Sequence, residues 1–252
     1  MSPLTESTRL MLAKQSVAAT DTNIREVSLL LHGNGTNGST TITDSSLTPK
    51  TVTAVGNAQI STTVANPFGN STGVIAFDGT SDYLTSPDST AWNLPNDFTI
   101  EAWVYLTAYS ASYAGAFGAA VVANYLGTGG GDRGWQLRVN GTASSYTTIN
   151  VYTGITDLNF AATVSLNSWT HVAATRSGSS IRAFVNGTQA GSTITNSDAF
   201  TESDSRQLWI GGLNDATYRF WLNGYIDDLR ITKGVARYTS NFTPPTLPFP
   251  DF

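Results

Sequence analysis

Between Asp97 and Leu106 the side chains alternate. Phe98, Ile100, Ala102, Val104 and Leu106 point one way, and Thr99, Glu101, Trp103 and Tyr105 the other. A period of two, rich in aromatic and β-branched residues, predicts a strand. Neither side is strongly polar, so an inner strand covered on both faces is expected. The pattern recurs as a hairpin: Trp169–Arg176 leads through Ser177-Gly-Ser-Ser into Ile181–Val185, and Asn186-Gly187 makes the next turn. Tight I′ turns need positive φ at both central residues, which Asn-Gly supplies. Asn140-Gly141 is expected to close Trp135–Val139 in the same way. Further strands are predicted at Val27–His32, Thr51–Val55, Gly73–Phe77, Tyr83–Thr85, Tyr146–Tyr152, Leu208–Ile210 and Tyr225–Thr232. Short strands separated by Gly, Asn and Ser turns define an all-β, two-sheet antiparallel sandwich. Residues 27–252 would form it.

The ends differ from this body. Residues 1–26 read as an N-terminal arm, with a short helix over residues 4–19 and an apolar cluster, Leu10, Met11 and Leu12, suited to docking on a partner. The arm has no uninterrupted apolar core of the kind a secretory signal needs. The proline-rich end, Thr243-Pro-Pro-Thr-Leu-Pro-Phe-Pro-Asp-Phe252, is barred from helices and inner strands. Phe249 and Phe252 are expected to pin it to the body.

Composition removes several functions. Charged residues make up 12% of the 252 residues, against roughly 25% in ordinary domains. The net charge of −5 offers no basic footprint for a nucleic-acid backbone. There is no cysteine, which excludes thiol catalysis, disulfides and cysteine-ligated metals. No run of about 18 apolar residues is present, so no membrane-spanning helix is expected.

Six segments, in order, resemble the laminin G-like branch of the concanavalin A-like lectin/glucanase superfamily. They are Phe77-Asp-Gly-Thr-Ser-Asp-Tyr-Leu84, Phe98-Thr-Ile-Glu-Ala-Trp-Val104, Trp169-Thr-His-Val-Ala173, Ile181-Arg-Ala-Phe-Val-Asn-Gly187, Leu208-Trp-Ile-Gly-Gly212 and Gly224-Tyr-Ile-Asp-Asp-Leu-Arg-Ile231. The resemblance implies a concanavalin A-like jelly roll in which the first strand pairs with the last. The opening Leu29-Leu-Leu-His-Gly-Asn-Gly35 and the closing Val235-Ala-Arg-Tyr-Thr-Ser-Asn-Phe-Thr-Pro-Pro245 are similar to versions in bacteriophage particle proteins. That likeness implies a non-enzymatic virion structural protein: a capsid decoration, knob or short fibre component. It would sit on the virion surface as a homo-oligomer among other virion proteins, with weak adhesion to cell-surface glycans. A stand-alone carbohydrate-binding lectin is the alternative. Neither reading calls for nucleic acid or membrane insertion.

Glycosidases of this fold carry glutamates alternating along one strand, about 5 Å apart in retaining enzymes. Here the glutamates are Glu6, Glu26, Glu101 and Glu202, and none lies within a strand's length of another. Glu101 is expected to be a buried or edge hydrogen-bond acceptor, and His171 a satisfied core histidine. Asp227 and Asp228 are adjacent, so their side chains should face opposite ways. The glycine-rich stretch Gly127–Gly134 lacks the lysine of a phosphate loop. Catalysis is not expected. The resemblance also implies a structural Ca²⁺ near the first and last strands, held by Asp227 and the turn at Asn34. Ca²⁺ takes hard oxygen donors. A sugar needs an exposed aromatic platform with polar neighbours. Trp92, Tyr109, Tyr113, Tyr218 and Trp221 are the candidates, whereas Trp103, Trp169 and Trp209 sit in strand motifs and are expected in the core.

Overall fold

A computed structural model describes residues 20–70, 72–110, 117–125, 134–201, 205–213 and 219–251. Fifteen strands follow one another along the described residues. They are β1 (Val27–Leu31), β2 (Thr53–Val55), β3 (Gln59–Ser61), β4 (Val74–Asp78) and β5 (Tyr83–Ser86). Next come β6 (Phe98–Leu106), β7 (Phe117–Tyr125), β8 (Gly134–Thr142), β9 (Ser145–Tyr152) and β10 (Asp157–Val164). The chain ends with β11 (Trp169–Ser177), β12 (Ser180–Val185), β13 (Thr188–Thr195), β14 (Leu208–Ile210) and β15 (Asn223–Lys233). Two single turns of 3-10 helix, Ile24–Glu26 and Thr90–Trp92, complete the described structure.

The strands form the expected antiparallel sandwich. The first sheet has the order β13-β12-β11-β6-β15-β4-β3, with β1 also on β15, and the second β10-β9-β8-β7-β14-β5-β2. β1 pairs with β15, as the resemblance implied. The inner faces meet in one apolar core that includes Leu31, Ile75, Phe98, Ile100, Val104, Trp135, Ile149, Phe160 and Leu229. Burying such side chains is the main driving force for closing two sheets. β6 lies between β11 and β15, and both its faces are covered over most of its length.

Turn chemistry explains one success and one failure. Asn186 and Gly187 have φ of 49° and 75°, the conformation the Asn-Gly pair predicted. At Asn140-Gly141 the expected turn is absent. β8 runs on to Thr142 with a register shift at this pair, and the reversal falls at Ala143–Ser144. Gly141 is needed because a β-carbon there would collide with the Ser145 carbonyl oxygen. The motif Phe77–Leu84 is itself a turn: Asp78 accepts amide hydrogen bonds from Thr80, Ser81 and Asp82, and Asp82 accepts from Asn57 and Asp78.

β15 departs from simple alternation. Its first half pairs with β4 and its second half with β1, and the change of partner coincides with a bulge between Asp227 and Arg230. Asp228 takes φ of 47° there. The bulge turns both aspartates toward the end of the first strand, which corrects the expectation of opposite faces. Asp227 Oδ1 accepts from Gly33 N at 2.7 Å, and Asp228 Oδ1 bonds His32 Nδ1. A bulge spends an extra residue and breaks the period of two.

The C-terminal segment crosses the outer face of the first sheet as a strap. Phe249 is buried and accordingly pins it, whereas Phe252 lies outside the described residues. Tyr238 and Phe242 stack at 3.5 Å, Phe242 N donates to Gly187 O, and Phe249 N donates to Asp228 Oδ2. Arg230 lies 3.6 Å from the centre of the Phe249 ring, a cation–π contact. The helix expected over residues 4–19, with Leu10, Met11 and Leu12, lies outside the described residues.

Candidate functional site

The second sheet turns a different kind of surface outward. In β14, Leu208 and Ile210 enter the core, so alternation sends Trp209 to the outer face. There Trp209 packs with Tyr125 and Phe220, and Tyr83 lies 4.7 Å from it, centroid to centroid. Trp221 stacks on the other side of Tyr83 at 5.7 Å. Beside this aromatic group runs a polar ladder. Arg138 donates to Asn150 and Asp157, and Asn150 donates to Asp157 and Asn159. Burial pulls the Arg138 guanidinium down from its ordinary value against the charge of Asp157.

A cavity of about 470 Å³ opens at the aromatic end, lined by Thr53, Thr85, Pro87, Asp88, Tyr125, Ser205, Arg206, Gln207 and Trp209. The indole and phenol supply apolar area, and the Thr, Ser, Gln, Asp and Arg side chains supply donors and acceptors around it. This mixture suits a ligand that is apolar on its faces and polar at its rim.

The aromatic residues singled out by sequence divide sharply. Trp221 belongs to the outer-face group. Trp92 is fully buried in the core with its Nε1 donating to Pro87 O, so it has no exposed face to offer a sugar. Tyr109 packs edge-on against Tyr146 beside the core, away from this cavity. Tyr113 and Tyr218 lie outside the described residues. Trp209 was expected in the core; it is buried, but in the smaller apolar cluster on the outer side of the second sheet, where it also lines the cavity. Trp103 and Trp169 were also expected in the core, but they are half-buried on the outer face of the first sheet. The missed signal was available: in Leu-Trp-Ile and in Ala-Trp-Val, period two places the indole opposite its core-facing neighbours.

Near the first and last strands, the carboxylate expected to hold Ca²⁺ has partners within the chain. Asp227 Oδ1 already accepts two backbone amides, from Gly33 and Asp228. Asp228 is engaged by His32 and by Phe249 N. Asn34 is exposed, and among the described residues no group of three metal-ligating side chains converges. The counter-charge here comes from His32, which also contacts Asp251 at 2.8 Å. Burial opposes its protonation, but the hydrogen bond and charge of Asp228 prevail and raise its pKa to about 9. Burial, with Asp228 alongside, pushes the Asp227 carboxyl up to about 7.

Glu101 is an anchor. Its Oε1 accepts from Arg230 Nε at 3.0 Å and Nη2 at 2.7 Å, and its Oε2 accepts from the Tyr238 hydroxyl at 2.8 Å. His171 Nε2 lies 3.3 Å from the same Oε2. Burial alone would raise the Glu101 pKa, but the Arg230 charge outweighs it and holds the carboxyl at about 2. A carboxylate kept ionised by a bidentate guanidinium cannot serve as a general acid near neutral pH.

The architecture is that of a lectin-like β-sandwich. Residues 78–237 match the laminin G-like model Laminin_G_3 of the concanavalin A-like lectin/glucanases superfamily, and the chain belongs to that family. No curated protein sequence matches it significantly. Among solved structures it is similar to the binding domain of botulinum neurotoxin DC in complex with rat synaptotagmin II. That match has 14% identity and a TM-score of 0.57, over 85% of this chain and 50% of the other. It is also similar to domain 4 of AbnA, a GH43 extracellular arabinanase from Geobacillus stearothermophilus, in complex with arabinotriose. Identity there is 16% and the TM-score 0.55, over 84% of this chain and 94% of the other. The chain thus spans about half the length of the toxin binding domains it matches. These likenesses establish the fold.

Proposed function

We propose that the chain is a non-catalytic binding module whose second-sheet cavity holds a saccharide. The observation that carries this reading is the convergence of Trp209 and Tyr125 with Asp88, Arg206 and Gln207 on one cavity of about 470 Å³, a volume ordinary for small-ligand sites. The structural relatives agree in kind, since one is the binding domain of a toxin and the other is a domain in complex with arabinotriose. Catalysis has no part in this reading, because Glu101 is locked under the strap by Arg230 and Tyr238. The test is a glycan array probed with the full chain and with Trp209→Ala. The expected result is a defined set of bound glycans whose affinity falls about tenfold in the variant. An array without binding overturns the reading.

A second reading concerns the setting. The likeness of residues 29–35 and 235–245 to bacteriophage particle proteins favours a component of the virion surface, oligomeric, with residues 1–26 as its assembly arm. Mass spectrometry of purified particles tests it. Particles that lack the chain, or that incorporate it normally after deletion of residues 1–26, would count against the virion or the arm respectively.

A further inference from the structure

We propose a second saccharide site, separate from the cavity: a row of three aromatic rings on the outer face of the first sheet, formed by Tyr225, Tyr105 and Trp169. It takes an extended, uncharged, β-1,4-linked polysaccharide chain. The three residues stand side by side on adjacent strands. Tyr225 of β15 is in register with Tyr105 of β6, and Tyr105 with Trp169 of β11. All three point away from the core, because Ile226, Val104, Leu106 and Val172 point into it. The ring centroids are 5.8 Å and 5.5 Å apart, and both outer rings meet Tyr105 edge-on, at 68° and 64°. The outer two are therefore separated by two strand spacings, about 10 Å. That is the length of the two-sugar repeat of a β-1,4-linked ribbon, whose pyranose units present apolar C–H faces to aromatic rings.

Three further observations make this a built surface. Each ring is half-buried, so each keeps part of its area open to solvent. Trp169 is held in place by donating its Nε1 to Ala65 O at 2.8 Å, which spares a ligand the cost of ordering it. Polar groups border the rings, among them Asp78, in register with Asn223. Thr107 Oγ1 donates to Asn223 Oδ1 at 2.6 Å, and the row continues in register from Tyr225 through Ala76 to the carboxamide of Gln59. Small Ala76 leaves room beside the Tyr225 ring. A row of Gln, Ala, Tyr, Tyr and Trp, with the carboxylate of Asp78 in register with Asn223 beside it, suits a neutral hydroxyl-rich polymer and disfavours an anionic one. On the same face, toward the other end of β6, the strap covers Glu101 and leaves no such surface.

The full chain should be retained saturably by amorphous cellulose or by chitin, and a cellohexaose or chitohexaose titration should perturb tryptophan fluorescence. Trp169→Ala and Tyr225→Ala should each weaken retention about tenfold, and Trp169→Phe should restore most of it. Circular dichroism and melting temperature show that the variants are folded. Ile155→Ala, at an exposed turn outside both sites, should stay within about twofold of the parent. Failure of the parent chain to bind either polymer overturns the second site, as does undiminished retention by both alanine variants. The array on Trp209→Ala reports the cavity independently, so either site can fail while the other stands.

Discussion

The two outer faces of this sandwich are built from the same alternating strands yet put their outward side chains to different uses. Over the middle of the first sheet, the outward row Glu101, His171 and Arg230 is roofed by Tyr238, Phe242 and Phe249 and becomes a second interior. On the second sheet, outward Trp209 and Tyr125, packed with Tyr83, border a cavity. Covered polar groups must be paired because burial strips them of water. The aromatic group on the second sheet is itself largely buried, and only the parts of Trp209 and Tyr125 that line the cavity are left for a ligand. The strap thus decides which outward residues are structural, and its own sequence, rich in proline and punctuated by aromatics, is what a roof that cannot join the sheet requires.

The covered face should be far less tolerant of change. Arg230 neutralises Glu101, and it also bonds Asp21 Oδ2 at 3.0 Å, tying the segment before β1 to the sheet. Arg230→Ala leaves a fully buried carboxylate without its cation, so a loss of about 3–5 kcal/mol is expected in urea unfolding. Adding Glu101→Gln to that variant should recover part of the loss. If Arg230→Ala costs no more than an outer-face substitution on the second sheet, the strap roofs nothing of consequence.

Acid and base sharpen the same contrast, because the strongly shifted groups other than Asp78 lie under or beside the strap. His32 has a folded value near 9 against an ordinary 6.5, so the stability it supplies is complete below about pH 6.5 and is lost as pH rises through 9. Asp227, raised from 3.8 to about 7, acts with the same sign, and its contribution is lost as pH rises through 7. Glu101, lowered from 4.5 to about 2, acts oppositely, and its contribution disappears as pH falls toward 2. Stability should therefore peak at about pH 4 and fall by roughly 6 kcal/mol by pH 9. His32→Gln should flatten the alkaline limb above pH 7. A melting temperature that climbs from pH 5 to pH 9 would contradict this assignment.

Much of this was legible in advance, and what was not has physical causes. Strands with one dry face announced themselves by alternation, as in β6, β11 and β12. β7 went unrecognised because Phe117–Tyr125 is buried on both faces and carries a nearly continuous apolar run. β13 was missed because it is an edge strand with mostly exposed polar residues. Which outward aromatics would be roofed, and by what, depended on contacts far apart in sequence: Tyr238 on Glu101, and Ala65 on Trp169. The shared orientation of Asp227 and Asp228 rested on a bulge that no local pattern marks.

The smallest expected effect concerns metal. A calcium ion between Asn34 and Asp227 would add its binding energy to folding, so a chelator would lower the melting temperature by mass action. The donor geometry argues the other way. Asp227 Oδ1 is occupied by two amides, and the positive charge beside the aspartate pair is already supplied by His32, in contact with both Asp228 and Asp251. An ion entering here would have to displace a buried imidazolium whose pKa of about 9 reports how firmly it is held. Thermal melts at pH 7 with excess EDTA and with millimolar Ca²⁺ should accordingly coincide. A shift of several degrees between them, lost in Asp227→Asn, would show that the turn at Asn34 supplies carbonyl oxygens and that the histidine shares its place with a metal.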